Sequence, residues 1–78
     1  PNPFNSTTTL RYALPNASKI KIEVYDIKGS LVATLVDAPR EAGQHSVVWN
    51  GQSQSSGLYI IRMTTPGKTL TAKALLVK

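Results

Sequence analysis

A chain of 78 residues has room for one domain, and at this size folding buries only about 60% of the surface that the unfolded form exposes. Apolar residues make up 41% of it, enough for a core, and cysteine is absent, which removes disulfides and thiolate metal sites. The net charge of +5 comes from nine basic residues against four acids, and the basic ones are dispersed, at Arg11, Lys19, Lys21, Lys28, Arg40, Arg62, Lys68, Lys73 and Lys78, with no run resembling a nucleic-acid-binding arm.

In chain order, turn signals at Pro15-Asn16, Lys28-Gly29, Ala42-Gly43, Asn50-Gly51, Ser56-Gly57 and Pro66-Gly67 cut the sequence into short runs. Within the runs apolar and polar residues alternate with period two, the pattern of half-buried strands. Leu10, Tyr12 and Leu14 share one face, and so do Ile20, Ile22 and Val24. The segment from Ser30 to Val36 fits strand or helix by periodicity alone, and its length and neighbours favour a strand. Val47 and Trp49 share a face, and Tyr59, Ile61 and Met63 stand opposite Ile60 and Arg62. The predicted strands are 7–14, 19–27, 31–36, 45–50, 58–64 and 69–77, with 38–42 open to a short seventh. The fold class is all-β, a sandwich or small barrel of antiparallel strands.

The final run differs from the others. Leu70, Ala72, Ala74 and Leu76 fall on one face, while Leu75 and Val77 point the opposite way. A strand apolar on both faces is either a covered strand inside a sheet or a surface that another protein recognises.

No constellation for catalysis emerges. Glu23 faces outward from a strand, Asp26 sits at a hairpin turn, and Asp37 and Glu41 are placed in a loop. Asp26 has a sufficient structural role, since an Asp at a turn accepts from the amides that follow it. His45 is a lone histidine without the spaced partners a metal requires, and no serine occupies a Gly-x-Ser-x-Gly elbow. No enzymatic activity and no cofactor are expected. Tyr25, Trp49 and Tyr59 are either core and strand-pairing residues or, if exposed in a row, a platform for sugar rings. Trp49 is expected to pack against Ile22, Val24, Tyr59 and Ile61, and Gly29 to hold a positive φ. No stretch approaches ~18 consecutive apolar residues, so no transmembrane segment is expected. The start at Pro1 reads as a piece of a longer polypeptide.

Several stretches, in order, resemble a known family. They are Pro1-Asn2-Pro3-Phe4-Asn5 with Thr7-Thr8-Thr9-Leu10-Arg11-Tyr12, then Val24-Tyr25-Asp26-Ile27-Lys28-Gly29, Val32-Ala33-Thr34-Leu35 and Ala42-Gly43. Trp49-Asn50-Gly51, Ser56-Gly57-Leu58-Tyr59 and Lys73-Ala74-Leu75-Leu76-Val77-Lys78 complete the set. Together the chain resembles the C-terminal sorting domains of type IX secretion cargo, departing at Ser6, where a proline is frequent. The resemblance implies a single immunoglobulin-like β-sandwich of about seven antiparallel strands over residues 1–78, at the carboxyl end of a larger secreted protein. It implies a passenger domain on the amino-terminal side, recognition by an outer-membrane translocon, and removal by a sortase-like peptidase. Localisation would be the periplasm in transit, then the cell surface or the exterior of a Gram-negative bacterium. The recognised part would include the last strand, with Lys73, Leu75, Val77 and Lys78 as the residues read. Two other functions fit related sequences: the immunoglobulin-like domain of flagellar hook-capping proteins, and a carbohydrate-binding accessory module.

Overall fold

The alternating runs form six strands in the computed structural model, which describes residues 7–77. In chain order these are β1 (Thr7–Leu14), β2 (Ser18–Asp26), β3 (Leu31–Arg40), β4 (Gly43–Asn50), β5 (Gly57–Thr65) and β6 (Lys68–Leu76). β1 and β4 make a two-stranded antiparallel sheet, and the other four make an antiparallel sheet in the order β3-β2-β5-β6. The architecture is the expected all-β sandwich.

The inward positions of the two sheets meet in one core. Ile20, Ile22 and Val24 of β2 and Tyr59 and Ile61 of β5 lie beneath Leu14 of β1 and Trp49 of β4, with Val36 and Leu76 closing the sides. Trp49 meets Tyr59 edge to face, with ring centroids 5.0 Å apart, an arrangement that adds to simple area burial. The Tyr59 hydroxyl leaves the core to donate to the Ser55 carbonyl at 2.6 Å, so burying the ring strands no polar group. The expected packing of Trp49 with Ile22, Val24, Tyr59 and Ile61 is what the chain adopts.

The β2–β3 hairpin is built from Asp26 outward. Its carbonyl accepts from the Gly29 amide at 3.0 Å, and its Oδ1 accepts from the amides of Lys28 and Ser30, both at 2.9 Å. Gly29 carries φ of +88°, the left-handed geometry that a residue with a Cβ takes only under strain.

β3 departs from the sequence-based expectation in two ways. It is one strand through Arg40, so residues 38–40 extend it instead of forming a seventh strand, and Asp37 lies within it opposite Lys21 rather than in a loop. Its register with β2 also shifts twice, leaving Leu35 and Val32 as extra residues in β3. Each shift breaks the period of two, which is why the segment reads ambiguously in the sequence. Pro39, which has no amide hydrogen to give a ladder, sits near the end of this edge strand.

β6 is the opposite edge, not a central strand. It pairs with β5 in unbroken register from Gly57↔Leu76 to Thr65↔Lys68. Of its inward residues, Leu76 is 2% exposed, Ala74 is half-buried, and Leu70 and Ala72 lie open. Leu76 anchors the strand by filling the space over Gly51: a Cβ on that glycine would lie 2.9 Å from Leu76 Cδ2 and 3.2 Å from Trp49 Cζ2. The Trp-Asn-Gly turn and the last strand are therefore fitted to each other.

Candidate functional site

The outward face of the four-stranded sheet gathers side chains from all four strands. Across one row Leu31, Tyr25, Ile60 and Lys73 are cross-strand partners, and across the next Leu58 stands opposite Leu75. Ile27 lies in the hairpin at the same end, and Val77 follows β6 there. Among the described residues, five of the seven large apolar side chains left exposed belong to this corner: Ile27, Leu31, Leu58, Leu75 and Val77. Leu75 is 69% exposed and Val77 58%, although single exposed apolar residues are ordinary and only their clustering is informative.

Next to the corner the face is held by polar contacts. The Tyr25 hydroxyl donates to Glu23 Oε1 at 3.0 Å, and the Arg62 guanidinium lies 4.7 Å from the centre of the Tyr25 ring. Cation–π contact at an exposed site contributes about 0.5–1 kcal/mol. The Glu23–Tyr25–Arg62 group therefore forms a polar patch beside the apolar one.

Of the residues expected from sequence to be read, Lys73, Leu75 and Val77 all lie exposed at this end of β6, while Lys78 lies outside the described residues. The opening Pro1-Asn2-Pro3-Phe4-Asn5 motif also lies outside them. Sequence reading missed the other members of the corner. The signal present was that Leu58 and Ile60 are apolar at the outward positions of β5, but only the pairing of β5 with β2 and β6 joins them to Leu31 and Leu75.

The remaining candidates have structural employment. His45 stacks on Tyr12 with ring centroids 5.3 Å apart, and its Nε2 lies 2.7 Å from the Glu41 carbonyl oxygen. Glu41 lies in the β3–β4 connection, as expected. Trp49 and Tyr59 are in the core, so they do not join Tyr25 in a row on which a sugar could stack. Among the described residues no three His, Cys, Asp or Glu side chains group in a way that could hold a metal ion, and no helix is long and apolar enough to cross a membrane.

No curated protein matches the chain. A solved structure of FLGD from P. aeruginosa superposes with a TM-score of 0.67 at 29% identity, over 90% of this chain and 60% of that one. The chain thus spans somewhat more than half of the length of FLGD, and the likeness is one of structure. A family model described as the secretion system C-terminal sorting domain matches residues 1–78, the whole chain. The chain belongs to that family, the C-terminal signals that commit a passenger protein to the type IX machinery for export to the cell surface or beyond.

Proposed function

We propose that the type IX machinery reads this domain through the apolar corner and the outward face of β6, contacting Lys73, Leu75 and Val77 there, and Lys78, which lies outside the described residues. The observation that carries the reading is the exposure of Leu75 and Val77 beside Leu58 and Leu31, at the end of a strand whose inner face is anchored by buried Leu76. The end of the strand thus separates two tasks by side-chain parity: Ala74 and Leu76 turn to the core, while Lys73 and Leu75 are free to be covered by a receptor. Full burial of a Leu or Val contributes about 1.5–3 kcal/mol, so covering two of them provides much of a recognition energy. Lys73 adds long-range steering that weakens as salt screens it.

In this reading the domain is signal and substrate, with no catalysis and no cofactor of its own, and no nucleic-acid partner. The outer-membrane translocon receives it from the periplasm of a Gram-negative cell. A sortase-like peptidase then separates it from the passenger on its amino-terminal side, which stays at the surface or leaves the cell. A fluorescent passenger fused to the domain in a type IX-competent host tests this. Leu75→Ser with Val77→Ser should lower the exported-to-periplasmic ratio by about tenfold or more, the equivalent of ~1.4 kcal/mol of lost recognition. Val48→Ser, at a side chain 55% exposed on the other sheet, should leave it unchanged. Unaltered export of the double variant would sink the assignment of the site.

A further inference from the structure

The sandwich is closed unevenly. β3 passes directly into β4 through a two-residue connection, but β1 and β6, the outer strands on the other flank, are not paired. Between them runs an apolar groove of about 290 Å³, lined by Leu10, Tyr12, Ile61, Met63, Leu70 and Ala72. A second depression of about 440 Å³ continues from Met63 and Leu70 to Lys68 and the Pro15 turn. The floor is the inner face of the sheet, and one wall is the edge of β6.

Two properties define what this seam would hold. First, in an antiparallel edge strand every second residue directs its amide and carbonyl away from its one neighbour, and β6 presents these over nine residues without a bulge or a proline. Second, charge is segregated. The acids occur only at Glu23, Asp26, Asp37 and Glu41, all on β2, β3 and the turns beside them. β1, β4, β5 and β6 contain no acid, and Arg11 and Lys68 line the seam.

We infer that the β1/β6 seam accepts an extended strand from a partner protein, apolar at alternate positions and flanked by carboxylates. The strand adds to the edge of β6 that no described strand pairs with, places alternate side chains against Leu70, Met63 and Tyr12, and sets its acids against Arg11 and Lys68. A second copy of this chain fits poorly, because two cationic rims would face each other. An acyl chain could fill the groove but would leave the edge amides and carbonyls of β6 unused. The seam is separate from the outward corner, and the inference stands whether or not that corner is the surface read in export.

The probe is an acetylated, amidated peptide of alternating Val and Thr with Glu at both ends. Controls carry Lys in place of Glu, or N-methyl groups on the alternate residues that would face β6. Fluorescence anisotropy reads affinity for the 78-residue domain, and amide exchange by NMR locates the contact. The Glu peptide should bind about tenfold or more tightly than the Lys peptide at low salt, a gap that narrows as salt rises. It should slow exchange at alternate amides of β6, and N-methylation should abolish binding. Arg11→Glu with Lys68→Glu should reverse the preference between the two peptides. Leu70→Lys, at a side chain already 47% exposed, should weaken binding about tenfold with an unchanged melting temperature. Ala72→Glu serves as a second variant should Leu70→Lys lower the melt. Equal binding of the two charged peptides, unchanged exchange along β6, or no peptide binding would overturn the inference. So would binding of anionic phosphatidylglycerol vesicles, dependent on Arg11 and Lys68, in place of the peptide, because the seam would then be a lipid contact.

Discussion

β3 and β6 are the two edges of one sheet, and they are finished in opposite ways. β3 takes two extra residues into its ladder, carries Pro39 near its end, and passes into β4 of the facing sheet. Bulges and proline are the usual means of keeping an edge from pairing with foreign strands. β6 has neither: its register with β5 is unbroken over nine residues, its outer side chains include exposed Leu75, and one buried residue, Leu76, ties its end to the core. An edge left regular and apolar in a small domain carries an aggregation risk, and a signal that must be recognised gives a reason to keep it. The comparison teaches that the regular edge, on the strand proposed for recognition, is held by very few inward contacts.

The largest expected effect comes from removing what both edges are packed on. Trp49→Ala should cost about 3–5 kcal/mol, measured by urea unfolding, a large share of what a domain this small possesses. A melting temperature within a few degrees of the parent would show that the two sheets do not share the core described. A smaller change isolates the β6 anchor. Gly51→Val places atoms where Leu76 Cδ2 and Trp49 Cζ2 already sit, and overpacking of this kind costs about 1–3 kcal/mol. Exchange protection along β6 should fall more than along β2, and equal loss across both would remove the special status of the anchor.

The β3 side is tested at its hairpin. Gly29→Val should destabilise by more than ~1 kcal/mol from backbone strain alone, because no neighbouring atom lies within 4 Å of an added Cβ. Gly29→Asn should recover part of that loss, since Asn tolerates the left-handed region. Matching losses for Val and Asn would point to a cause other than φ.

How much of this was legible in the sequence follows the same division. Alternation places the inward residues of β1, β2, β4 and β5 correctly, because those strands keep a regular period of two. In β3 the extra residues Val32 and Leu35 put consecutive apolar side chains on the core, and the local pattern loses its meaning. For β6 the sequence shows that Leu75 and Val77 oppose Leu76, but not that the strand is an edge. That depends on the order β3-β2-β5-β6, set by pairings between residues far apart in the chain. The apolar corner was hidden for the same reason, since Leu31, Leu58 and Leu75 are brought together only by that order.

The smallest effect on stability should come from the outward end of β6 and the residue that follows it. Leu75→Ser and Val77→Ser should each shift unfolding by no more than about 0.5 kcal/mol, as surface substitutions do. A loss as large as that of Gly51→Val would mean that these side chains serve the fold and not a receptor.

The most direct measurement of the central claim is contact itself. A photo-reactive amino acid replaces Leu75 in a passenger carrying this domain, and in a matched protein it replaces Val48, exposed on the other sheet. Irradiation during export, followed by mass spectrometry of the adducts, reports which face touches the type IX outer-membrane machinery. The account predicts an adduct with that machinery from position 75 and none from position 48. An adduct from position 48 with none from position 75 would contradict it.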